Sequence, residues 1–446
     1  MDGSLAEAQT SFIVDAPRPR LKSHAERIGV IGLGYVGLPV SVALADVFET
    51  VIGFDINADR VMALKKAEDW TGEINQTTLL TSSLKVTCAP DDLSNCTMYI
   101  VAVPTPVNDA NQPDLDPLKS TCQILAPFLR KGDVVVFEST VYPGATEEVC
   151  GPELQKHSGL TAGIDFNLAY SPERITPGDK VHGLRDVPKI ISGDTPATLE
   201  RIAQVYERIV PAGVHRASSI KVAEAAKVFE NTQRDVNIAL MNEFSLICEK
   251  IGIRSRDVIR ATSTKWNALP FTPGLVGGHC IGVDPYYLTY KAQENGTHPD
   301  IMLASRRRND DMAARIAQRA IRLLTENGVN PTAARVGVMG ITFKENVPDM
   351  RNSKVVDVIR ELQAYGVSPL INDPLADRQA AQALDLNLIP DTDLQDLDLL
   401  MIAVPHRQYR DTSVLQDKLR SGAALMDIRS QIEPSMLRSD IRYWSL

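Results

Sequence analysis

Short, continuous hydrophobic runs recur along the chain, and most of them end in a polar or turn-forming residue. Such runs, without alternation of polar and apolar positions, are typical of strands buried in a parallel sheet. In the first half they lie at 27–31, 51–55, 98–103, 133–137 and 168–171. Stretches with helical spacing separate them, so the pattern predicts a doubly wound α/β sheet.

The same pattern returns in the second half of the chain, where runs lie at 335–340, 370–373, 400–405 and 424–427. Between the halves, residues 220–251 contain no Pro or Gly and carry apolar residues every third or fourth position. A helix of this length would be roughly 45–50 Å long, too long to cover one sheet. The sequence therefore predicts two doubly wound Rossmann-like α/β domains joined by a long central helix.

These patterns also suggest domain boundaries. We expect a flexible N-terminal arm over 1–23, a first Rossmann-like domain over 24–214, a central helical domain over 215–328 and a second Rossmann-like domain over 329–446. The arm is polar and lacks the basic start and apolar run of a secretory signal. A further helix is expected broadly over 299–327, with the arginines at 306–308 on a solvated face.

A glycine-rich turn, Gly32-Leu33-Gly34-Tyr35-Val36-Gly37, follows the first run directly. In a strand–GxGxxG–helix unit the first two glycines allow a tight turn and close approach of a pyrophosphate, and the third lets the helix pack on the strand. The next run ends in Asp55, where such an acid holds the ribose hydroxyl of NAD. Asp55 is followed by Ile56-Asn57 and not by Arg. The sequence therefore predicts a dinucleotide site for NAD, not NADP.

Polar side chains follow other predicted strands, at the edge where open α/β sheets bind ligands. Thr105 and Thr140 come after two neighbouring runs, and they either serve the site or cap helices. Glu173 follows a proline at the end of a third run. It is either an ion-pair partner of Arg174 or a catalytic acid or base, and the residues alone do not decide.

One cysteine lies in an unusual stretch, Gly277-Gly278-His279-Cys280-Ile281-Gly282-Val283-Asp284-Pro285. A thiol among glycines is a candidate nucleophile if a neighbour lowers its pKa. The alternative is a buried cysteine in a glycine turn. On the central helix, Lys227 and Asn231 are four residues apart and share one face, as functional residues or as a solvated pair.

The second Rossmann-like unit has lost the glycine motif. Its first run continues as Gly340-Ile341-Thr342-Phe343-Lys344, and Asp349 and Arg351 follow in the next loop. Cations in place of glycines suggest a phosphate site served partly by side chains. A purely structural domain is the alternative.

Composition excludes several classes of function. The formal net charge is -9, which argues against binding to nucleic acid or to a membrane surface. The six cysteines are scattered without a CxxC pair, so we expect no metal site, no disulfide framework and a reducing cytoplasm. No apolar stretch is long enough for a transmembrane helix.

Taken in order, these features resemble the UDP-glucose/GDP-mannose dehydrogenase family over about residues 24–440. The motifs that carry the resemblance are GLGYVGLP, ESTVYPG, SPER, GGHCIGVDP and GITFKENVPDMR, together with Lys227 and Asn231. Within the family, SPERITPGDKVHG and GGHCIGVDPYYLTYKAQ look most like the UDP-N-acetylglucosamine/UDP-N-acetylgalactosamine 6-dehydrogenases, which serve bacterial surface polysaccharide biosynthesis.

The resemblance implies an NAD-dependent, four-electron oxidation of a sugar 6-hydroxymethyl group to a carboxylate, with two NAD reduced. Cys280 would trap the aldehyde as a thiohemiacetal, which is then oxidised to a thioester and hydrolysed. UDP-N-acetylmannosamine and UDP-glucose are the alternative substrates. A two-electron hydroxy-acid dehydrogenase, which would not need Cys280, and a non-catalytic NAD-binding protein are less compatible with the motifs.

The resemblance also implies roles for individual residues. Lys227 and Asn231 would hold the reacting oxygen and stabilise its negative charge. Asp284 with Thr140 would position water, and Glu173 would assist hydrolysis. Departing from the UDP-glucose enzymes, Pro177 stands where those enzymes carry a second glutamate, so the hydrolytic base is left open.

Two residue sets complete the implied site. The cofactor-binding set comprises Gly32, Gly34, Tyr35, Val36, Gly37, Asp55, Arg60, Thr105, Thr140 and Arg351. The substrate-binding set comprises Glu173, Arg174, Lys227, Asn231, Gly277, Gly278 and Lys344. Lys344 and Arg351 would lie where the two halves meet, the last domain would bind the UDP-sugar, and a homodimer through the central helix is expected.

Overall fold

The computed structural model of the protein describes residues 26–108, 110–175, 183–278 and 280–446. The N-terminal arm expected at 1–23 and Pro177 lie outside these ranges. Within them, two α/β units flank a long central helix. The fold predicted from the hydrophobic pattern is confirmed.

The first sheet has the strand order β3-β2-β1-β4-β5-β6-β7-β8, and its pairs are parallel except β6 with β7. Its strands are β1 (Arg27–Ile31), β2 (Thr50–Phe54), β3 (Lys85–Thr87), β4 (Met98–Val101), β5 (Val134–Phe137), β6 (Asn167–Tyr170), β7 (Lys189–Gly193) and β8 (Val214–Arg216). Its helices are α1 (Gly37–Ala45), α2 (Ala58–Lys65), α3 (Gln76–Thr81), α4 (Asp116–Leu125), α5 (Gly151–Ser158) and α6 (Pro196–Ile209). Strand β8 extends two residues past the boundary expected at 214.

The central helix α7 (Ile220–Ile251) contains 32 residues, or about 48 Å at 1.5 Å per residue. The Ser219 side chain caps its start by accepting the N–H of Val222, and Gly252 ends it in a left-handed conformation. The helices α8 (Ser255–Thr262), α9 (Asp284–Glu294), α10 (Asp300–Asp310) and α11 (Met312–Glu326) follow.

The single helix expected over 299–327 is wrong, because the segment is interrupted at Asp311. The two pieces pack on different partners. Helix α10 lies against α7, whereas the apolar face of α11 belongs to the core of the second sheet.

The solvated face expected for the three arginines is also wrong at one position. Arg306 is buried, with Nη1 2.6 Å from Asp235 Oδ1 on α7 and Nη2 2.8 Å from Asp310 Oδ1. Arg307 is exposed as expected, and Arg308 pairs with a glutamate of α7. Packing of α10 on α7 buries one side of α10, and Arg306 lies on that side.

The second sheet is entirely parallel, with the order β10-β9-β11-β12-β13. Its strands are β9 (Val336–Met339), β10 (Leu370–Asn372), β11 (Leu397–Ile402), β12 (Leu419–Asp427) and β13 (Arg442–Ser445). Its helices are α12 (Lys354–Ala364), α13 (Arg378–Ala383) and α14 (Thr412–Asp417). Strands β10, β9 and β11 repeat the arrangement of β2, β1 and β4, as the sequence echo predicts.

Candidate active site

The glycine-rich turn between β1 and α1 has the geometry that a pyrophosphate needs. Gly32 has a φ of +90°, and a Cβ on Gly37 would lie 1.8 Å from the carbonyl oxygen of Gly32. No atom lies within 4 Å of where a Cβ of Gly34 would be, so the turn is open at that point. Tyr35 and Val36 complete the turn, and α1 begins directly after Val36. The N-terminal amides of α1 can therefore receive an anion.

Asp55, directly after β2, supports this turn, and its carboxylate retains acceptor positions for a ligand. Its Oδ2 accepts the N–H of Leu33 at 2.8 Å, and its Oδ1 accepts the N–H of Asn57 at 2.9 Å. A carboxylate offers about four acceptor positions, so a ribose hydroxyl can still bind. Arg60 is buried, donates from Nε to the carbonyl of Leu33 at 2.8 Å and pairs with Asp69. It therefore contacts the turn itself.

The equivalent acid of the second unit, Asp373, is fully engaged. It accepts N–H groups from residues 341, 342, 375 and 376. The Nδ1 atom of His406 accepts the N–H of Asn346 at 2.9 Å, so Nε2 carries the proton and donates to Asp373 at 3.1 Å. These donors saturate the carboxylate. The turn after β9 thus repeats the backbone geometry of the turn after β1, but the carboxylate of Asp373 has no acceptor position left for a ribose hydroxyl.

Thr105 and Thr140 follow the neighbouring strands β4 and β5 and lie in contact. The Oγ1 atom of Thr105 donates to the carbonyl of Thr140 at 2.6 Å, so Thr105 binds a neighbouring loop and does not cap a helix. The hydroxyl of Tyr287, on α9, donates to the carbonyl of Thr105 at 2.8 Å. These contacts hold the helix after the cysteine loop against the first domain.

A cavity of about 580 Å³ lies at the carboxyl edge of the second sheet and against α7. Predicted site residues that line it are Arg174, Lys227, Asn231, Gly277, Gly278, Cys280 and Lys344. The cavity also has cationic residues that the sequence did not single out: Arg234, Lys354 and Arg429. Each had a signal. Arg234 continues the face of Lys227 and Asn231, Lys354 begins a helix, and Arg429 follows a strand end.

Cys280, Lys227 and Asn231 line this cavity, and the buried Asp284, which does not line it, is hydrogen-bonded to Cys280 and Asn231. The carbonyl of Cys280 accepts the N–H of Asp284 at 2.8 Å, and Asn231 Nδ2 donates to Asp284 Oδ2 at 2.5 Å. Burial raises the pKa of Asp284 to about 6, although the positive charge of Lys227 and the hydrogen bond from Asn231 lower it. Burial, and then the charge of Asp284, raise the pKa of the half-buried Cys280 thiol to about 11. Positive charge from Lys227 opposes that rise.

The glycines before Cys280 pack closely on the second domain. A Cβ on Gly277 would lie 2.6 Å from the carbonyl oxygen of Asn352, and Gly278, with a φ of +82°, packs against the ring of Phe343. Arg351, in the same loop as Asn352, lies 4.8 Å over the ring of Tyr35. Arg351 thus lies where the two halves meet, as predicted. Its contact with Tyr35 joins the second domain to the glycine-rich turn of the first.

Glu173 is buried, and it does not pair with the side chain of Arg174. Its Oε1 accepts the N–H groups of Arg174 and Ile175 at 2.7 and 2.6 Å, and its Oε2 lies 3.3 Å from Lys189 Nζ. The guanidinium of Arg174 pairs instead with Glu230 on α7 at 2.6 Å. The ion-pair alternative considered for Glu173 and Arg174 is therefore wrong.

Three family models cover most of the chain. They describe the UDP-glucose/GDP-mannose dehydrogenase family: its NAD binding domain at residues 26–210, its central domain at 221–311 and its UDP binding domain at 337–434. The chain belongs to this family. It is an NAD-dependent dehydrogenase of nucleotide sugars, and the NAD cofactor predicted from the glycine turn is confirmed.

The chain is also similar to individual proteins over most of its length. The chain is 49% identical to Protein CapL of Staphylococcus aureus, over 94% of this chain and 99% of that protein. It is 48% identical to the UDP-N-acetyl-D-glucosamine 6-dehydrogenase of Pseudomonas aeruginosa, over 86% and 92%. Among solved structures, the UDP-N-acetylmannosamine dehydrogenase of Pyrococcus horikoshii superposes with a TM-score of 0.84 at 28% identity, over 94% and 98%.

Two further observations concern the described residues alone. No group of three or more His, Cys, Asp or Glu side chains among them is placed to hold a metal ion. No helix in those ranges has the length and apolar character needed to cross a membrane.

Proposed function

We propose that this dehydrogenase oxidises the 6-hydroxymethyl group of a UDP-N-acetylhexosamine, UDP-N-acetylglucosamine or UDP-N-acetylgalactosamine, to the uronic acid, for bacterial surface polysaccharide biosynthesis. The observation that carries the proposal is the group formed by Cys280, Asp284, Lys227 and Asn231. It adjoins a cavity walled by the UDP binding domain. The relative from Pseudomonas aeruginosa supports the choice of an acetamido sugar.

NAD would lie on the turn that contains Gly32, Gly34 and Gly37, with its ribose near Asp55, and would accept the hydride in each oxidation. Lys227 and Asn231, on one face of α7, would face the reacting oxygen. Their donors would stabilise the negative charge that develops there as the hydroxyl loses its proton. Lys344 and Arg429, at the carboxyl ends of the second sheet, would neutralise the diphosphate.

Cys280 then forms the covalent intermediate. Its sulfur adds to the aldehyde carbon, the thiol proton leaves and the aldehyde oxygen takes up a proton, which gives a thiohemiacetal. Loss of the hydroxyl proton and of a second hydride, which NAD would accept, then gives a thioester. Because the thiol pKa is raised to about 11, the thiol is protonated at neutral pH. Asp284, ionised above pH 6, is the adjacent group that takes this proton.

Hydrolysis returns the free thiol. Water adds to the thioester carbonyl, the C–S bond breaks, and the uronic acid leaves as a carboxylate. Asp284 and Thr140 would position that water, and Glu173 would assist its deprotonation. The balance over both oxidations is one alcohol, two NAD and one water consumed, with one carboxylate, two NADH and three protons formed.

A substrate panel tests the proposal. Purified enzyme and NAD are mixed in parallel with UDP-N-acetylglucosamine, UDP-N-acetylgalactosamine, UDP-N-acetylmannosamine and UDP-glucose. We expect the highest kcat/KM with one of the first two sugars. Preference for UDP-N-acetylmannosamine, which the Pyrococcus structure favours as the second candidate, or for UDP-glucose would overturn the substrate assignment and leave the family intact.

We also propose that two copies pair along α7. Large apolar side chains are exposed on this helix: Val222, Phe229, Leu240, Ile247 and Ile251. Such a row of apolar side chains is costly to leave in water. Light scattering should give a dimer mass that Leu240→Asp reduces to the monomer, while Lys250→Asp, at an exposed position on the same helix, retains the dimer. A monomeric wild-type protein would contradict the pairing.

A further inference from the structure

A buried ionic cluster lies behind Glu173 and is not explained by the roles given so far. Lys189, the first residue of β7, places its Nζ 3.1 Å from Glu138 Oε2 and 3.3 Å from Glu173 Oε2. The side chains of Lys189, Glu138 and Glu173 are 3%, 0% and 10% exposed. Removing three charges from water is costly, so their arrangement must be compensated by close contacts.

The cluster is anchored from the interior of the first domain. The hydroxyl of Tyr206, on α6, donates to Glu138 Oε1, and the ring of Tyr206 lies 5.4 Å from Lys189 Nζ. Burial lowers the pKa of Lys189, but the two carboxylates raise it by more, so the ammonium stays charged. Glu138 begins the ESTVYPG motif, whose third residue is Thr140. The residues after β5 therefore contribute Glu138 to the buried cluster and Thr140 to the proposed active site.

The fixed cluster restrains the carboxylate of Glu173, whose next two residues in the chain line the cavity. With Oε1 of Glu173 bound by the N–H groups of Arg174 and Ile175 and Oε2 bound by Lys189, neither oxygen can rotate freely. Arg174 and Ile175 line the cavity beside Lys227. Arg174 Nη1 also donates to the carbonyl of Pro188, the residue before Lys189. The start of β7 thus holds Glu173 and its neighbour together.

We propose that Lys189 is a positioning residue for hydrolysis of the thioester, acting through Glu173, with Glu138 and Tyr206 holding the lysine from behind. Lys189 is buried and is not among the residues that line the cavity. The inference rests on the proposed function, because it concerns the last step of that reaction. Neither oxidation step requires the cluster.

The variant Lys189→Met removes the contact, and Lys189→Arg preserves its charge. Because Lys189→Met leaves two buried carboxylates without a cation, Lys189→Met/Glu138→Gln is prepared beside it to keep the net charge of the cluster unchanged. In rapid-quench experiments we expect a normal first-turnover burst of two NADH. Steady-state turnover should then be on the order of 10- to 100-fold slower, as for a misplaced catalytic group.

Intact-mass spectrometry should show the uronoyl adduct accumulating on Cys280 in these variants, with partial rescue by Lys189→Arg. Glu173→Gln should behave alike, and combining it with Lys189→Met should add little, since the two residues act as one unit. Equal loss of burst and steady-state rates, or hydrolysis at the wild-type rate, would overturn the role of Lys189. One NADH and no adduct in the wild-type enzyme would instead overturn the proposed function, and this inference with it.

Discussion

Asn231 donates a side-chain hydrogen bond to Asp284 across 2.5 Å, which joins the central helix α7 to the first residue of α9. Asn231 lies one helical turn after Lys227, and Asp284 lies one turn after Cys280. The bond therefore sets the relative position of the two pairs of residues. Burial raises the pKa of Asp284 to about 6. The hydrogen bond from Asn231 and the positive charge of Lys227 both oppose that rise.

The first prediction concerns the pH dependence of turnover. If Asp284 must be ionised, kcat/KM falls as the pH drops through about 6, well above the ordinary pKa of an aspartate. Asn231→Ala removes a hydrogen bond that lowers this pKa, so the acid limb should move to higher pH, beyond any loss of rate. Asn237→Ala, elsewhere on α7, is the control. An acid limb that stays in place in Asn231→Ala would contradict this role.

The second prediction concerns the Cys280 thiol. Burial and the charge of Asp284 raise its pKa to about 11, so alkylation by iodoacetamide should be slow at pH 7 and rise steeply above pH 9. Asp284→Asn should lower this pKa and speed alkylation, whereas Lys227→Met should slow it. Peptide mass spectrometry follows Cys280, with exposed Cys88 as the internal reference. Identical rates in both variants would separate the thiol from this cluster.

The third prediction concerns Lys227 in turnover. If Lys227 donates to the reacting oxygen as proposed, Lys227→Met should lower kcat on the order of 10²- to 10³-fold, while the Kd for NAD stays unchanged. Lys250→Met, at an exposed position on the same helix, should have no effect on either quantity. Steady-state kinetics and calorimetric NAD titration provide both readouts. Parallel losses in kcat and NAD affinity would make Lys227 a structural residue.

The fourth prediction concerns stability. Arg306→Ala leaves the buried carboxylate of Asp235 without its cation, and the free energy of unfolding should fall by about 3–5 kcal/mol. Arg307→Ala changes an exposed neighbour and should alter stability by less than about 0.5 kcal/mol. Denaturant unfolding monitored by circular dichroism compares the two. Equal effects would mean that the contact of Arg306 with α7 contributes nothing specific.

The sequence predicts those features of the fold and the site that depend on residues close together in the chain. The glycine turn, the strand ending in Asp55, the central helix and the repeat of the α/β unit each depend on neighbours within a short segment. Hydrophobic runs and glycine positions determine these elements directly. The same is true of Lys227 and Asn231, because helical spacing alone places them on one face.

Contacts between distant segments could not be predicted in this way. Nothing in the sequence around Arg306 shows that α10 packs on α7 and buries that residue. The contact between Lys189 and Glu173 arises because β7 follows β6 in the sheet with reversed direction. Arg429 reaches the cavity because it follows β12, and its role depends on the order of the parallel strands.

The stoichiometry of NADH formation shows whether the reaction passes through a thioester on Cys280. NADH and uronic acid are quantified at complete consumption of the preferred UDP-N-acetylhexosamine, with wild-type enzyme and with Cys280→Ser. We expect two NADH per uronic acid for the wild-type enzyme and no acid formation by the variant. One NADH per sugar with free aldehyde in solution, or acid formation by Cys280→Ser at the wild-type rate, would contradict the thioester route.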